Sequence, residues 1–191
     1  MANRGRDLFK KYYYIIKILI FIYSIFPYKI REHLFFKSSH IYGKLGIAIR
    51  YCLAATLFKS IGDNVSIYPN CVFLHMKGLS IGNNVSIHEF SYIDAYGDID
   101  IKDDVSISHG VSILSFEHRY DSLNLPIKEQ GATQEPVLIK SNVWIGAKAS
   151  ILGGVTIEEG CIIGANGVVT KDTKMNTVMC GVPVRLIKER I

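Results

Sequence analysis

His118 is the residue best suited to acid–base chemistry, because it lies in a polar stretch that interrupts an otherwise regular sequence. The stretch runs from Ser115 to Val137 and contains Ser-Phe-Glu-His-Arg-Tyr-Asp, followed by mostly polar residues up to Pro136. Loops longer than about 12–15 residues are uncommon in compact domains and usually serve a function. An imidazole with a pKa of about 6.5 can accept a proton at neutral pH. His118 is therefore a candidate general base, although a loop histidine without such a context is more often only solvated.

The sequence on both sides of this stretch repeats every six residues, with Ile or Val opening most units. Ile-Gly-Asp-Asn-Val-Ser-Ile begins at Ile61, similar segments begin at Ile81 and Ile101, and Ile139 restarts the pattern after the interruption. Three hexapeptides plus two residues make one turn of a solenoid. The opening residue and the residue four places later are predicted to fill its interior, so that stacked turns share one aliphatic core.

The residue three places after each opening position is predicted to turn a corner with a left-handed backbone. Nine of eleven such positions hold Asn, Asp or Gly, which tolerate that conformation, and Phe90 and Lys148 are the exceptions. Each turn is therefore predicted to be a triangle with short parallel strands as its sides. The eleven predicted corner residues are Asn64, Asn70, Asn84, Phe90, Asp104, Gly110, Asn142, Lys148, Gly154, Gly160 and Asn166.

Three further motifs carry a resemblance to a known family. They are Asn-Val-Trp-Ile-Gly at 142–146, Ile-Gly-Ala-Asn-Gly-Val-Val-Thr-Lys at 163–171 and Gly-Val-Pro-Val-Arg-Leu-Ile at 181–187. Together with the repeat, they resemble the hexapeptide-repeat acetyltransferases, in particular sugar O-acetyltransferases of the galactoside, nodulation-factor and capsular or lipopolysaccharide type. The resemblance covers roughly residues 61–190. It implies an all-β solenoid, a left-handed parallel β-helix, in a homotrimer with active sites between subunits.

On this basis we expect three parts in the chain. Residues 1–60 form a basic and apolar helical segment. Residues 61–178 form the left-handed β-helix, with an inserted loop at 115–138. Residues 179–191 form a C-terminal strand and a short C-terminal helix.

The resemblance also implies the chemistry and the site residues. Acetyl would pass from acetyl-CoA to a sugar hydroxyl by direct attack, with His118 as general base and a loop carboxylate, for which we select Glu129, orienting it. No metal is expected. Trp144 should project outward beside the returning loop, near the acetyl group. The residues expected to contact the acceptor are His88, Asp94 and Gln130, and those expected to contact coenzyme A are Trp144, Gly146, Ala147, Gly164, Ala165, Lys171 and Arg185.

The N-terminal third carries the basic character of the chain. Residues 1–60 hold eleven Lys or Arg and two acids, a net charge of +9, whereas residues 61–191 have a net charge of −4. Residues 12–28 are almost wholly apolar, too short to cross a bilayer comfortably, and flanked by cations. We expect either peripheral membrane contact through residues 10–31 or packing of this helix on the protein. Nucleic acid is not expected, because the charges flank an apolar segment. The flanking cations are Arg4, Arg6, Lys10, Lys11, Lys29 and Arg31.

The four cysteines and the second helix indicate a reducing compartment and a packed N-terminal region. Cys71 and Cys161 take interior repeat positions, and no Cys-x-x-Cys pair suggests zinc or a disulfide framework. A cytoplasmic protein, peripheral at the inner face of the membrane if residues 10–31 bind it, fits this usage. Leucines and isoleucines at four-residue spacing predict an amphipathic helix over about 41–59.

Two other functions use the same fold. A metal-dependent hydratase of the carbonic-anhydrase type would need three histidines at a subunit interface, and His88, His109 and His118 supply that number. The other alternative is a structural hexapeptide subunit without catalytic activity. Metal content, thiol release from acetyl-CoA and the effect of replacing His118 distinguish the three.

Overall fold

The structure, a computed structural model, describes residues 5–191, with side chains from Asp7 onward; Arg4 and the side chain of Arg6 lie outside the described part. The N-terminal segment is helical, as predicted. The helix predicted over 41–59 is shorter than expected, because the chain after Ala54 turns tightly before the first strand. The four helices are α1 (Gly5–Lys11), α2 (Tyr13–Ser24), α3 (Tyr28–Lys37) and α4 (Gly43–Ala54).

The rest of the chain winds into a solenoid with three sheets. Each turn contributes one short strand to each sheet, and the strands of successive turns run parallel. Sheet A contains β1 (Ser60–Ile61), β4 (Leu79–Ile81), β7 (Ile99–Ile101), β12 (Val137–Ile139) and β15 (Thr156–Ile157). Sheet B contains β2 (Ser66–Ile67), β5 (Ser86–Ile87), β8 (Ser106–Ile107), β13 (Trp144–Ile145), β16 (Ile162–Ile163), β18 (Thr177–Gly181) and β19 (Val184–Glu189). Sheet C contains β3 (Val72–Leu74), β6 (Tyr92–Asp94), β9 (Ser112–Leu114), β14 (Ser150–Ile151) and β17 (Val168–Val169).

The strand register follows the predicted repeat. Ile61 pairs with Ile81 and Ile81 with Ile101, twenty residues apart, and Ile139 then pairs with Ile157 at the shorter spacing of eighteen. One isoleucine from each of five strands of sheet B belongs to an interior column without solvent exposure: Ile67, Ile87, Ile107, Ile145 and Ile163. Cys71 and Cys161 are buried in the same core, which confirms them as core residues. Burial raises the pKa of the Cys71 thiol to about 11.

The corners confirm the prediction of a left-handed backbone. All eleven predicted corner residues have positive φ, including Phe90 at 61° and Lys148 at 58°. The corner between sheets C and A, which we call the C–A corner, is different. Its left-handed residues in the first two turns are His75 and Asp98, which lie at other places of the repeat. Extra residues at this corner shift the turn, so the six-residue rule does not locate them.

The C-terminus corrects the sequence prediction. The expected short C-terminal helix is wrong: β18 continues sheet B parallel to β16, and β19 returns antiparallel to β18. This arrangement gives the last strand of the solenoid a backbone partner on its outer edge. Val184 is buried at the start of β19 and anchors the returning strand to the core.

The helices close the open end of the solenoid around a buried arginine. Arg50 of α4 is only 1% exposed. Its guanidinium donates to three carbonyl oxygens: Ile67 at 2.8 Å in the first turn of the solenoid, and Ser38 at 2.7 Å and Ile41 at 2.8 Å in the helical segment. Beside it, Phe35 packs edge-on against Phe73 of β3. One cation thus ties the helical segment to the solenoid.

Replacing Arg50 should destabilise the whole protein. In Arg50→Leu two buried carbonyls and one partly buried carbonyl lose their donor, and each such loss costs about 1–3 kcal/mol, so we expect the free energy of unfolding to fall by about 3 kcal/mol or more. Chemical denaturation followed by circular dichroism measures this change. Lys44→Leu, on the exposed side of α4, is the control and should change stability by less than about 0.5 kcal/mol. Equal stability of the two variants would contradict this role of Arg50.

Candidate functional site

The stretch that interrupts the repeat is an insertion at the C–A corner of the third turn. Its base is a β-hairpin of β10 (Phe116–His118) and β11 (Ala132–Gln134), in which His118 pairs with Ala132. The insertion thus leaves and re-enters the solenoid at one corner, and its base is regular. Buried Ser115 secures it: its hydroxyl donates to the carbonyl of Asp94 at 3.0 Å and accepts from the backbone N–H of Gly97 at 2.9 Å.

His118 is exposed at the end of β10. Its ring packs edge-on against Phe116, with centroids 5.6 Å apart. Within residues 7–191 the imidazole has neither a hydrogen-bond partner nor a carboxylate within 4.0 Å. Glu129 ends a short 3₁₀ turn (Ile127–Glu129) in the outer part of the insertion, and the single chain does not bring it to His118. The orienting role of Glu129 stays a prediction.

Asp94 lies in the turn below and is held by His75, which is not among the predicted site residues. Its Oδ1 is 2.6 Å from Nδ1 of His75 and accepts the backbone N–H of Tyr96 at 3.2 Å. The side chain of Asp94 is nearly buried, whereas that of His75 is half exposed. The only sequence signal for this pair is the two-residue insertion in which His75 stands. A histidine fixed by a carboxylate is an arrangement that suits proton transfer.

Aromatic rings connect this pair to His118 along the C–A corner. His75 contacts Tyr96 with centroids 5.0 Å apart, and Tyr96 contacts Phe116 at 6.0 Å. With the contact between Phe116 and His118, the rings form a continuous column over three turns. Beside the first two turns of this column lies a cavity of about 480 Å³, lined by Tyr28, Glu32, His75, Met76, Lys77, Gly78, Ala95, Tyr96 and Asp98. Flat apolar rings beside polar groups are a surface suited to small polar ligands.

Gln130 is engaged inside the insertion. Its amide oxygen accepts the backbone N–H of Ser122 at 2.9 Å, and its amide nitrogen donates to the carbonyls of Ser122 at 2.8 Å and Leu125 at 2.9 Å. These bonds hold the polar loop in one shape. Gln130 therefore positions neighbouring groups, and direct contact with an acceptor stays a prediction.

Trp144 lies on sheet B, with 52% of its surface exposed. Its indole Nε1 donates to Oγ of Ser108 at 3.1 Å. His88 stands one turn below Ser108 at the corner between sheets B and C, where its ring stacks on Tyr68 with centroids 4.4 Å apart. In a triangular solenoid, sheet B is the side opposite the C–A corner. The expectation that Trp144 lies beside the returning loop is therefore wrong.

The other residues predicted to bind coenzyme A lie mostly on the side of Trp144. Ala147 and Ala165 are stacked on adjacent turns at the corner between sheets B and C, where Asn166 donates its N–H to the carbonyl of Ala147 at 2.8 Å. Arg185 is exposed on β19, the outermost strand of sheet B. Lys171, in contrast, follows β17 and so lies above the C–A corner.

The glycines at this corner are explained by stacking of the turns. A Cβ added to Gly146 would lie 2.6 Å from the backbone nitrogen of Ala165, and one added to Gly164 would collide with the thiol sulfur of Cys180. Gly146 is therefore needed for the solenoid itself, because its close neighbours are backbone atoms, whereas a side chain at Gly164 would require the Cys180 side chain to move. Their small size also leaves the adjacent alanines in a shallow, unobstructed strip.

Known proteins share both the repeat and the fold. Residues 136–171 match the family model described as bacterial transferase hexapeptide (six repeats). The chain is 32% identical to the galactoside O-acetyltransferase of Escherichia coli K12 over 142 residues, which cover 73% of this chain and 68% of that protein. The chain belongs to the hexapeptide-repeat acyltransferase family. This confirms the predicted family and enzyme class.

A solved structure of this family supports the predicted handedness. The hexapeptide-repeat acetyltransferase VCA0836 of Vibrio cholerae, complexed with acetyl-CoA, matches with a TM-score of 0.76 and 25% identity, over 85% of this chain and 86% of that one. The left-handed β-helix is thus confirmed. A probable acetyltransferase of Mycobacterium tuberculosis, Rv3034c, is 36% identical over 68% of this chain, which spans only 42% of that relative.

Gln130 provides a test of how this acyltransferase holds its insertion. Replacing it in Gln130→Ala removes three hydrogen bonds, and losing about 1 kcal/mol of net stabilisation should raise local opening at least about fivefold. Hydrogen exchange followed by mass spectrometry over residues 119–131 measures this change. Glu129→Gln is the matched control, because no described residue hydrogen-bonds the Glu129 side chain. Unchanged exchange in Gln130→Ala would show that these bonds do not order the loop.

Proposed function

We propose that the protein transfers acetyl from acetyl-CoA to a hydroxyl of a sugar, in a surface polysaccharide, a glycolipid or a precursor of either. The observation that carries the proposal is the exposed imidazole of His118, presented at the end of β10 without a partner in the described chain. Membership of the family and the E. coli galactoside O-acetyltransferase relative support this class of reaction. All four cysteines are free and three of them are buried, which fits a reducing cytoplasm, in which we place the protein.

The reaction needs one proton acceptor and one nucleophilic attack on the thioester. His118 takes the proton from the acceptor hydroxyl while its oxygen attacks the thioester carbonyl, forming a tetrahedral oxyanion. Collapse of the oxyanion breaks the carbon–sulfur bond. The proton then passes from His118 to the departing thiolate, so the base is regenerated and no acyl-enzyme forms. Glu129 is our candidate for orienting the imidazole.

The strip near Trp144 has the surface properties needed by coenzyme A. The exposed indole gives a flat apolar wall, and Ala147 and Ala165 leave a low, stacked surface for the pantetheine arm. The exposed cation Arg185 is suited to its phosphates, and Lys171, which lies above the C–A corner, would reach the same coenzyme A from a neighbouring chain. On the acceptor side, Asp94 has its Oδ1 engaged by His75, which leaves Oδ2 to accept a bond from a sugar hydroxyl. His88 and Gln130 complete the proposed acceptor contacts.

The position of Trp144 supports a homotrimer with shared sites. His118 projects from the C–A corner, and Trp144 lies on the opposite side of the same chain. An active site that contains both residues must therefore take them from two neighbouring chains. A closed ring of identical head-to-tail contacts provides such a pairing at every interface. We infer that a single chain has no complete site.

His118→Ala should lower the rate by about 10²–10⁴, because it removes the proton acceptor and leaves binding in place. Release of free thiol from acetyl-CoA with a panel of sugars measures it. His33→Ala is the control and should retain the rate, because His33 is exposed on α3, outside the solenoid and outside the proposed site. Zinc in stoichiometric amount without thiol release would favour the hydratase, and an unaffected His118→Ala would exclude His118 as base.

Mixing two inactive variants tests the shared site. We expect His118→Ala and Trp144→Ala to be weak alone. In randomly mixed trimers refolded or coexpressed together, about a quarter of the sites combine an intact His118 with an intact Trp144 from the neighbouring chain. Thiol release should therefore recover to about a quarter of the wild-type rate. If both residues served one site within a chain, mixing would recover nothing.

A further inference from the structure

Helix α2 is apolar on two opposite sides. One side packs inward: Ile16 is buried, and Leu19, Ile20 and Tyr23 pack against the core. This confirms in part that the N-terminal helix packs on the protein. A helix whose whole circumference is apolar is normally buried, with other structure covering every side. The side of α2 that faces away from α4 has none in the described chain.

We call this second side the outer face. Its six residues lie opposite Ile16 at helical spacing and are all exposed, from 44% for Ile22 to 81% for Tyr14. Phe26 and Ile30 continue it beyond the end of α2, towards α3. A contiguous surface of this kind marks an interaction site, whereas single exposed apolar residues do not. The outer face consists of Tyr14, Ile15, Ile18, Phe21, Ile22 and Ile25.

Cations border the outer face, and acids are absent from its sequence. No Asp or Glu occurs between residues 8 and 31. The ammonium groups of Lys11 and Lys17 lie over the rings of Tyr12 and Tyr13, at 5.5 and 5.2 Å from the centroids. No carboxylate of residues 7–191 forms an ion pair with Lys10, Lys11, Lys17 or Lys29. Free positive charge therefore surrounds an apolar surface that carries aromatic side chains.

We propose that the outer face docks on an anionic lipid bilayer, with α2 lying in the plane of the headgroups. Its aliphatic side chains would enter the acyl boundary, and the bordering lysines would contact anionic headgroups. A crossing is excluded for the described helices: none in residues 5–191 is long and apolar enough to span the bilayer. The 12 residues of α2 extend about 18 Å, against a hydrocarbon core of about 30 Å.

The charges favour a membrane over face-to-face pairing of two outer faces. Two outer faces packed against each other would bring eight lysines together around one contact, with no acid in the segment to compensate. An anionic surface complements the same charges. The proposal does not depend on the acetyl-transfer chemistry, because it concerns residues outside the solenoid.

Binding of full-length protein to vesicles tests the proposal. The probe is phosphatidylcholine with about 30% phosphatidylglycerol, compared with pure phosphatidylcholine. Ile18→Ser/Phe21→Ser should lower the partition coefficient at least about tenfold, since two apolar side chains no longer leave water. Lys10→Gln/Lys17→Gln should lower it about fivefold for each lysine on anionic vesicles only. Substitutions are preferable to deletion, because deletion would uncover the core that Ile16 covers.

Leu123→Ser is the matched control, because Leu123 is fully exposed at the tip of the insertion, and it should bind vesicles like wild type. Circular dichroism confirms that each variant is folded. Equal binding of wild type and Ile18→Ser/Phe21→Ser would overturn the proposal. So would a change of oligomeric state in sedimentation of that variant, which would identify the outer face as a contact between chains. If the wild-type protein binds vesicles but releases no thiol from acetyl-CoA, only the proposed catalytic function is contradicted.

Discussion

Backbone hydrogen bonding between successive turns is the constraint on which the rest of the molecule depends. Each strand pairs in parallel with the strand one turn later, isoleucine over isoleucine, so every turn repeats the cross-section of the one below. Side chains at equivalent positions therefore form columns. One column at the C–A corner ends in His118, and another leads through Ser108 to the side of Trp144. The separation of these columns comes from the triangle itself and not from any local contact.

The same constraint explains why a long insertion is tolerated. The strands on either side of it keep their register, because Ser112 pairs with Ser150 and Val137 with Ile99. The insertion leaves and re-enters at one corner, where Ser115 closes its base. Loop closure becomes only slowly less favourable with length, so a corner can carry many residues at small thermodynamic cost. Chemistry can therefore vary in the insertion while the solenoid stays unchanged.

The sequence predicts the structural features that depend on the six-residue repeat. It locates the aliphatic interior and eleven left-handed corner residues, because each depends on a local residue type at a fixed spacing. It also locates His118, because an interruption of a regular pattern is visible in one dimension. The pair of His75 and Asp94 is not predictable in this way, since it joins two turns at the one irregular corner. The strand β19 was missed for a similar reason: its partner is an exposed sheet edge, which no periodicity reports.

The helical segment is held at a fixed position against the first turn of the solenoid. Arg50 fixes the helices to the first turn, and Tyr28 of α3 borders the same cavity as His75. Parallel strands are spaced by about 4.8 Å, so the hairpin, two turns above His75, stands about 10 Å further along the axis. If α2 rests on a bilayer, the stacked turns hold His118 at a fixed distance from that bilayer. A lipid-anchored sugar would then be selected by the distance between its hydroxyl and its anchor.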